Sequence, residues 1–228
     1  NDFRLADNPA LFRAASEGTV VPVFLWSPAE EGQWQPGGAH RWWLHHSLDS
    51  LAARITKRGG SLVLAEGNPV TVLNRIASEH GATRIFTTRR LEPAARAQEK
   101  QLRDRLGSND AVVLAEDAYL RTPGSVMTQT GNAYKIFTPY YRAASAPGDP
   151  AKPGRVPDVI DWFDSTIESV DLDDLTLLPT QPDWSGGLRE TWQAGEDAAH
   201  ERIKAMTARI EHYAIGRDVP AADHTSGL

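Results

Sequence analysis

Apolar positions along the first half of the chain alternate between two patterns, and each change of pattern marks the end of an element. Short aliphatic runs predict buried strands, and the stretches between them carry apolar residues every three or four positions, which predicts helices with one buried face. The predicted strands are 20–26, 61–66, 84–88 and 111–115. The helices predicted between them are 41–58, 69–80 and 93–106.

The helix predicted over 41–58 has the clearest apolar stripe. Its leucines and isoleucine are separated by four, three and four positions, which places them on one face; they are Leu44, Leu48, Leu51 and Ile55. Two glycines, at 59 and 60, follow the helix and predict its end. Asn68 followed by Pro69 is a typical start for the next helix, with an N-cap and then a first helical residue.

Strands that alternate with helices predict a parallel sheet covered on both faces. Right-handed crossovers make such a sheet doubly wound. A further helix start, Asn8 and Pro9, lies near the beginning of the chain, with only residues 1–7 before it. A helix that opens an α/β domain normally follows a strand. We therefore expect an α/β fold with a doubly wound, parallel, five-stranded sheet whose first strand precedes Asn1.

The remainder of the chain is predicted to lead from this domain to a long helix. Residues 146–195 contain a linker rich in Ala, Pro, Gly and Asp and then a segment with weak periodicity, which together predict an interdomain connector. A helix is predicted over 196–214, with an apolar stripe spaced by four, three, four and three; it consists of Ala199, Ile203, Met206, Ile210 and Tyr213. Such a stripe needs a partner surface. The predicted domains are therefore 1–145, 146–195 and 196–228.

Composition limits the classes of function. The 228 residues carry a formal net charge of −6 and no cysteine, and their apolar content of 40% is that of an ordinary globular protein. The absence of cysteine excludes disulfides and thiolate metal sites within these residues. A DNA-binding surface, if present, must be local, because such surfaces are basic. No apolar run approaches the ~20 residues that span a bilayer, so a cytoplasmic location is expected.

Three histidines and two tryptophans lie at the start of the helix predicted over 41–58 or just before it. They could form a metal or ligand site, but packing is the favoured interpretation. His45 and His46 are adjacent, so they point about 100° apart on a helix and do not easily serve one metal site. His40 is likewise expected at the surface or in packing. Of Trp42 and Trp43, we expect one in the core and one covering a loop.

Acidic residues near the end of the fourth strand lie where α/β sheets bind ligands. They are Asp110, Glu116 and Asp117. Acidic loops are common, so we do not assign them a catalytic role. Asp171, Asp173 and Asp174 are interpreted as a solvated turn. The chain has no P-loop, no dinucleotide fingerprint and no nucleophile-elbow motif. We predict no catalytic residue and no metal ligand within it.

Four segments, in order, resemble the DNA photolyase/cryptochrome family. They are NDFRLADNPAL at 1–11, GGAHRWWLHHSL at 37–48, TGNAYKIFTPY at 130–140, and a final stretch over 177–228 that ends in TSGL. Each is weak alone, but the combination is specific. The resemblance covers nearly the whole chain and is greatest to bacterial, class III-like cyclobutane pyrimidine dimer photolyases. It covers only the first part of the family's usual length, so the chain resembles the α/β domain and the beginning of the helical flavin domain.

The resemblance implies a flavin-dependent DNA repair lyase. In this family, reduced FAD in a helical domain absorbs blue light and gives an electron to a pyrimidine dimer flipped out of damaged DNA. A folate or deazaflavin antenna often binds to the α/β domain. The implied protein is a monomer that needs no membrane, and residues 1–228 alone are expected to be inactive. Two alternatives stay open: a cryptochrome photoreceptor without repair activity, and a stand-alone nucleotide- or partner-binding α/β module.

Individual positions carry implied roles. Tyr213, Thr225, Ser226 and Leu228 match positions at the phosphate end of the FAD site, where hydroxyls and loop amides suit phosphate oxygens. Arg217 matches a position that faces a DNA phosphate, for which a guanidinium group is suited.

Asn132 and Tyr134 match the region where an antenna binds. Folate-using members often have a glutamate at the position of Asn132, and deazaflavin-using members often have an aspartate at that of Arg90.

Overall fold

The computed structural model describes residues 3–106, 111–115, 119–164 and 166–219. Within them, strands and helices alternate over the first half of the chain, as predicted. The strands are β1 (Val23–Trp26), β2 (Val63–Glu66), β3 (Ile85–Thr88) and β4 (Val112–Ala115). The helices are α1 (Pro9–Glu17), α2 (Gly38–Thr56), α3 (Pro69–His80), α4 (Pro93–Leu106), α5 (Phe137–Ser145), α6 (Gly186–Thr191) and α7 (Glu196–Gly216). Two 3-10 segments, Pro28–Trp34 and Asp173–Leu175, complete the elements.

The strands form two parallel pairs, which confirms the α/β class. Strand β1 pairs with β2, with Val23 opposite Val63, and β3 pairs with β4, with Ile85 opposite Val112. The described residues thus hold four strands in two two-stranded sheets, where the sequence predicted members of a single sheet. In the doubly wound strand order 3-2-1-4-5, strand 1 would be the one expected before Asn1, and β1 to β4 would be strands 2 to 5. Without strand 1 this order leaves strand 2 paired with 3 and strand 4 paired with 5, which are the pairs β1–β2 and β3–β4 observed here. The first strand before Asn1 stays a prediction.

The chain divides into two compact units, each made of two segments. The first unit is Asn1–Val21 with Gly67–Ile167, and the second is Pro22–Glu66 with Glu168–Leu228. The first therefore contains α1, β3, β4 and α3 to α5, and the second contains β1, β2, α2, α6 and α7. The domain limits predicted at 145 and 195 remain predictions.

In the first unit, helix α1 packs on β3 and β4, and α3 packs on α4. The predicted N-caps are confirmed, since the Asn8 side chain accepts a hydrogen bond from the amide of Leu11 at 2.9 Å and Asn68 accepts one from Thr71 at 3.1 Å. The predicted linker is bound to the start of the chain. Asp7 donates its amide to the carbonyl of Gly154 at 2.8 Å, and its carboxylate accepts the Gly154 amide at 2.7 Å.

In the second unit, α2 supplies more of the buried apolar side chains than any other element. All four residues of its predicted stripe are buried, and Leu48 is completely inaccessible. The connector then runs beside β2, where the amide of Val170 donates to the carbonyl of Leu64 at 2.9 Å. Leu175 and Leu177 of the connector are also buried. The exposed side chains of Asp171, Asp173 and Asp174 agree with the predicted solvated turn.

Two helices were not predicted from the sequence, for a physical reason. Helix α5 has nine residues with Pro139 in its first turn, and α6 has six residues and begins with two glycines. Neither is long enough to establish a helical period, and both contain residues that disfavour helices. Among the described residues, no helix combines the length and the apolar character needed to cross a membrane.

Candidate functional site

The last turns of α7 bring together two of the residues with implied roles. Tyr213 and Arg217 are four positions apart, so they lie on the same side of the helix. The Arg217 guanidinium carbon is 5.9 Å from the centre of the Tyr213 ring. The Arg217 amide donates to the Tyr213 carbonyl at 3.0 Å, and its Nε lies 3.6 Å from Asp218 Oδ1. Phenol and guanidinium together form a donor pair suited to an anion.

The Tyr213 hydroxyl is open to a ligand. The ring is half-buried, and no group in the described part of the chain forms a hydrogen bond with the hydroxyl. A hydroxyl in this state can donate to a phosphate oxygen, so Tyr213 fits the phosphate end of a flavin nucleotide. Thr225, Ser226 and Leu228 lie outside the described residues.

The beginning of α7 is fixed to α2 by charge. Arg54 of α2 reaches both acidic residues of the first turn of α7: its Nε lies 3.2 Å from Glu196 Oε2, and its Nη1 pairs with Asp197. Glu196 is almost fully buried, so its carboxylate needs this partner. Carboxylates at a helix N-terminus also suit the helix dipole. Sequence reasoning missed this anchor, although the pair Glu196-Asp197 at a helix start was a usable signal.

Close backbone packing adds to this anchor. Gly195 precedes α7 with φ 109° and ψ 164°, a conformation that other residues rarely adopt. A Cβ at this position would overlap the Ser50 hydroxyl and lie 2.8 Å from its Cβ. Glycine is therefore required both by conformation and by space.

Aromatic rings cover the same junction. Trp43 of α2 meets Trp192 edge-to-face, with ring centres 6.0 Å apart. The Arg202 guanidinium of α7 lies 4.6 Å from the centre of the Trp192 ring, within the range of a cation–π contact. Trp42 is buried, at 2% exposure. The predicted division of the two tryptophans, one in the core and one covering a loop, is therefore what the structure shows.

His45 and His46 of α2 take part in ring packing. The His46 ring stands edge-on to Trp42 at 4.5 Å and to His45 at 5.2 Å. Burial lowers the pKa of His46 from its ordinary value, and the neighbouring His45 and Arg189 add to this, while Asp49 opposes it. No cluster of three or more His, Cys, Asp or Glu side chains within the described ranges could hold a metal ion.

A polar cluster in the connector was not predicted. Asp183 accepts hydrogen bonds from the Ser185 hydroxyl at 2.6 Å and from Arg189 Nη2 at 2.7 Å. Arg189 Nη1 also donates to the Ser185 hydroxyl at 2.6 Å, and Ser185 is completely buried. These bonds hold the pKa of Asp183 far below its usual range, the Ser185 hydroxyl contributing most. The cluster closes the first turn of α6 and has a structural role.

The implied antenna residues lie on a tight turn of the first unit. The Asn132 carbonyl accepts the Thr128 amide at 2.8 Å, and the Asn132 side chain donates to the Thr130 hydroxyl at 3.2 Å. Tyr134 is half-buried and meets Tyr140 edge-on at 6.2 Å. The turn thus holds Asn132 at an exposed position beside an aromatic pair.

Arg90, the other position compared for an antenna, belongs to a different part of the unit. Its Nη2 donates to Gln98 Oε1 on α4 at 2.8 Å, and its amide donates to Glu99 Oε1 at 3.4 Å. Arg90 is therefore engaged with α4. The acidic residues Asp110, Glu116 and Asp117 lie outside the described residues.

Comparison with known proteins gives a consistent family. The model of the family "DNA photolyase" matches residues 1–158. A deoxyribodipyrimidine photo-lyase of Agrobacterium fabrum is 34% identical over the whole chain, which spans 47% of that protein. Cryptochrome-2 of Arabidopsis thaliana is 32% identical over 62% of the chain and 23% of its own length. The chain thus spans about half the length of the photo-lyase it matches.

A solved structure agrees with the sequence relatives. The crystal structure of a bacterial class III photolyase from Agrobacterium tumefaciens superposes with a TM-score of 0.91 at 34% identity. The superposition covers 99% of this chain and 47% of the other. Because the family model covers more than half of the chain and the fold agrees with it, this chain belongs to the DNA photolyase family.

Proposed function

We propose that the intact protein is a blue-light-driven DNA photolyase that splits cyclobutane pyrimidine dimers by electron transfer from reduced FAD. Residues 1–228 form its α/β half and the first helix of its flavin-binding half. The observation that carries this proposal is the match to the Agrobacterium photolyase, which extends over 99% of the chain with a TM-score of 0.91.

The chain's own contribution is to bind the phosphate end of the flavin and the DNA backbone. Tyr213 would donate its hydroxyl to a flavin phosphate, together with Thr225, Ser226 and Leu228. Arg217, exposed beside Tyr213, would contact a DNA phosphate through its guanidinium. Reduced FAD, when bound, supplies the light-driven electron transfer, and the protein supplies position. Damaged DNA is thus the proposed partner.

An antenna is part of the proposal for the first unit. A folate or deazaflavin would lie against the turn that carries Asn132 and Tyr134. The half-buried Tyr134 ring offers an apolar surface, and the exposed Asn132 amide offers polar groups. Antenna binding is tested by titrating each chromophore into the chain and measuring the quenching of its fluorescence. Asn132→Ala is the test variant, and Gln129→Ala on the same turn is the control.

The central experiment is a repair assay. The intact, flavin-loaded protein is illuminated with blue light in the presence of DNA that contains cyclobutane dimers, and restored pyrimidines are quantified against a dark control. We expect restoration only in the light. Bound reduced FAD without restoration would contradict the repair function and favour a cryptochrome photoreceptor, a candidate supported by the match to Arabidopsis cryptochrome-2.

Arg217 offers a more local test. Arg217→Ala in the intact protein removes one proposed phosphate contact. The logarithm of its affinity for DNA should therefore depend less steeply on the logarithm of the salt concentration, the slope falling in magnitude by roughly 0.9. Lys204→Ala is the matched control, since Lys204 is an exposed cation of the same helix that pairs with Glu201. Equal slopes for both variants would remove Arg217 from the DNA surface.

Three further properties belong to the proposal. The chain of 228 residues alone should neither retain FAD tightly nor repair DNA, because ligand pockets bury most of a ligand's surface. The intact protein should be a monomer by light scattering. A cytoplasmic location is supported by the absence of cysteine, since a disulfide framework is the mark of an oxidising compartment.

A further inference from the structure

Helix α7 carries its implied functional groups at one end and its contacts with α2 at the other. Tyr213 is in its last turn and Arg217 follows it, about 25 Å along the axis from Glu196. Between Glu196 and Gly216 no residue of α7 is buried. The first turn therefore has the strongest influence on the direction of the helix and on the side where it presents Tyr213.

Arg54 of α2 holds that first turn in a way that fixes its rotation. The Arg54 Nε lies 3.2 Å from Glu196 Oε2, and the Arg54 Nη1 pairs with Asp197. Adjacent helical residues point about 100° apart. One guanidinium that meets both carboxylates therefore holds α7 in one rotation about its axis, because the planar fork of an arginine has its donors in fixed directions.

Burial makes the contact with Glu196 stiff. The Arg54 side chain is 20% exposed and that of Glu196 is 4% exposed. Separating a buried pair leaves a charge without its partner, which is strongly unfavourable. Asp197 is 74% exposed, so its pair with Arg54 adds direction rather than strength.

Two neighbouring contacts limit the sliding of the first turn. A Cβ at Gly195 would overlap the Ser50 hydroxyl, so the backbone cannot move closer to α2 there. Arg202, in the second turn of α7, lies 4.6 Å from the centre of the Trp192 ring, and its Nη2 donates to the carbonyl of Thr191 at 3.4 Å. These contacts set the height of α7 along its axis, and Arg54 sets its rotation.

We infer that Arg54 is a positioning residue for the anion-binding end of α7. By holding Glu196 and Asp197 it sets where Tyr213 and Arg217 stand, and it acts through the helix rather than on a ligand. The inference rests on the proposed function, in which those two residues meet the flavin and DNA phosphates. A tilt of about 5° at the first turn would move Tyr213 by about 2 Å, whereas groups of a binding site must be held within about 0.5 Å.

Spin labels measure the positioning without any ligand. Residues 1–228 contain no cysteine, so His40→Cys with His212→Cys places single labels on α2 and near the end of α7, both at exposed positions. We expect one narrow distribution of the distance between the labels. Arg54→Ala should make that distribution roughly twice as wide, because the length of α7 amplifies a small loss of grip. An unchanged width would overturn the inference.

A control variant separates positioning from general loosening. Arg84→Ala removes a comparable ion pair from the first unit, since Arg84 pairs with Glu17. It should leave the distance distribution narrow, whatever it does to the melting temperature. Broadening by Arg84→Ala to the same extent as by Arg54→Ala would contradict a specific role for Arg54.

Asp197→Ala tests the rotation in a chain that keeps its stability. This variant retains the pair of Arg54 with Glu196 and removes only the second contact. Because Asp197 is exposed, the melting temperature should stay nearly unchanged, while the distance distribution should still broaden. Glu201→Ala is the matched control, as a similarly exposed carboxylate one turn later that pairs with Lys204. Broadening in both variants, or in neither, would contradict a grip on two adjacent carboxylates.

Flavin affinity in the intact protein connects the positioning with the site. Arg54→Ala should raise the Kd for FAD by roughly ten-fold. Tyr213→Phe should then cost much less in the Arg54→Ala background than in the unmodified protein, because a misplaced hydroxyl contributes little. Equal costs in the two backgrounds would overturn the inference. Repair is measured on the same samples, so FAD binding without repair sinks the proposed function alone, whereas full FAD affinity in Arg54→Ala sinks the positioning alone.

Discussion

Helices α2 and α7 carry apolar residues at the same spacing, and the structure treats them in opposite ways. The stripe of α2 is buried, with Leu48 at 0% and Ile55 at 2% exposure. The stripe of α7 is open, with Ile203 and Ile210 each about half exposed. The spacing of four, three and four positions therefore predicts a face but does not say whether the chain supplies a surface for it.

The difference lies in where each helix is attached. Helix α2 belongs to the core of its unit along its whole length. Helix α7 is attached to α2 at its first turn through Arg54, and the segment just before α7 contacts α2 through Ser50 and the ring of Trp43. Beyond these contacts, half-buried positions such as Met206 and Tyr213 alternate with exposed ones until the buried Gly216 at the end of the helix. A buried stripe and a helix fixed at one end should respond very differently to the same substitution.

The largest effect is expected at the centre of the α2 stripe. Leu48→Ala removes a fully buried side chain and leaves a cavity, so the free energy of unfolding should fall by about 2–5 kcal/mol. Ile210→Ala on α7 deletes a similar side chain at a half-exposed position, and its cost should stay within about 0.5 kcal/mol. Chemical denaturation of both variants measures the contrast. A comparable loss in the two would mean that α7 is packed as firmly as α2.

A smaller effect is expected where the two helices meet. Gly195→Ala forces a strained conformation and a collision with Ser50, which should cost about 1–3 kcal/mol. Gly187→Ala is the matched control, because a Cβ there meets nothing within 4 Å, and a gain of about 0.5 kcal/mol is expected from the stiffer unfolded chain. If Gly195→Ala proves neutral in thermal unfolding, the junction is looser than its geometry indicates.

The smallest effect is expected in the pH dependence of stability. The pKa of His46 in the folded protein is lowered from 6.5, so folding favours the neutral ring. Stability is therefore complete above pH 6.5 and declines as the pH falls through 6.5 towards the lower folded pKa. The groups that face His46 are His45 and Asp49 on α2 and Arg189 on α6.

Denaturation at pH 8, 6.5 and 5 measures this decline. His46→Leu should flatten the dependence in that window. Asp183 affects stability in a separate pH range, because its pKa in the folded protein is lowered from 3.8. Its contribution to stability is present above pH 3.8 and is lost only in stronger acid. An unchanged slope in the His46 variant would exclude this histidine as the source.

Local signals in the sequence predicted the helix ends that are set by a single residue. Asn8 and Asn68 cap helices as predicted, and the helices predicted to begin at Pro69 and Pro93 end at His80 and Leu106 as expected. The helix α5 was not predicted, since nine residues do not establish a period. Segregation of the strands into two pairs could not be predicted, since pairing depends on contacts between residues distant in sequence.

The candidate site was predicted only in part. Tyr213 and Arg217 were chosen by resemblance, and their proximity follows from helical spacing. The anchor between Arg54 and Glu196 joins positions far apart in the chain; the acidic pair at the start of α7 marks one side of it, but no local pattern identifies the arginine that it meets. The cluster of Asp183, Ser185 and Arg189 depends on a turn whose geometry no short motif predicts.

The division of each unit into two segments has a consequence for how the chain is handled. Because Pro22–Glu66 enters between the two segments of the first unit, and Glu168–Leu228 completes the second, neither unit can be excised as one continuous piece. A truncation at any single boundary leaves at least one of the two units incomplete. A fusion that joins residue 21 directly to residue 67, and ends at residue 167, would give the first unit in isolation, and one that joins residue 66 to residue 168 would give the second.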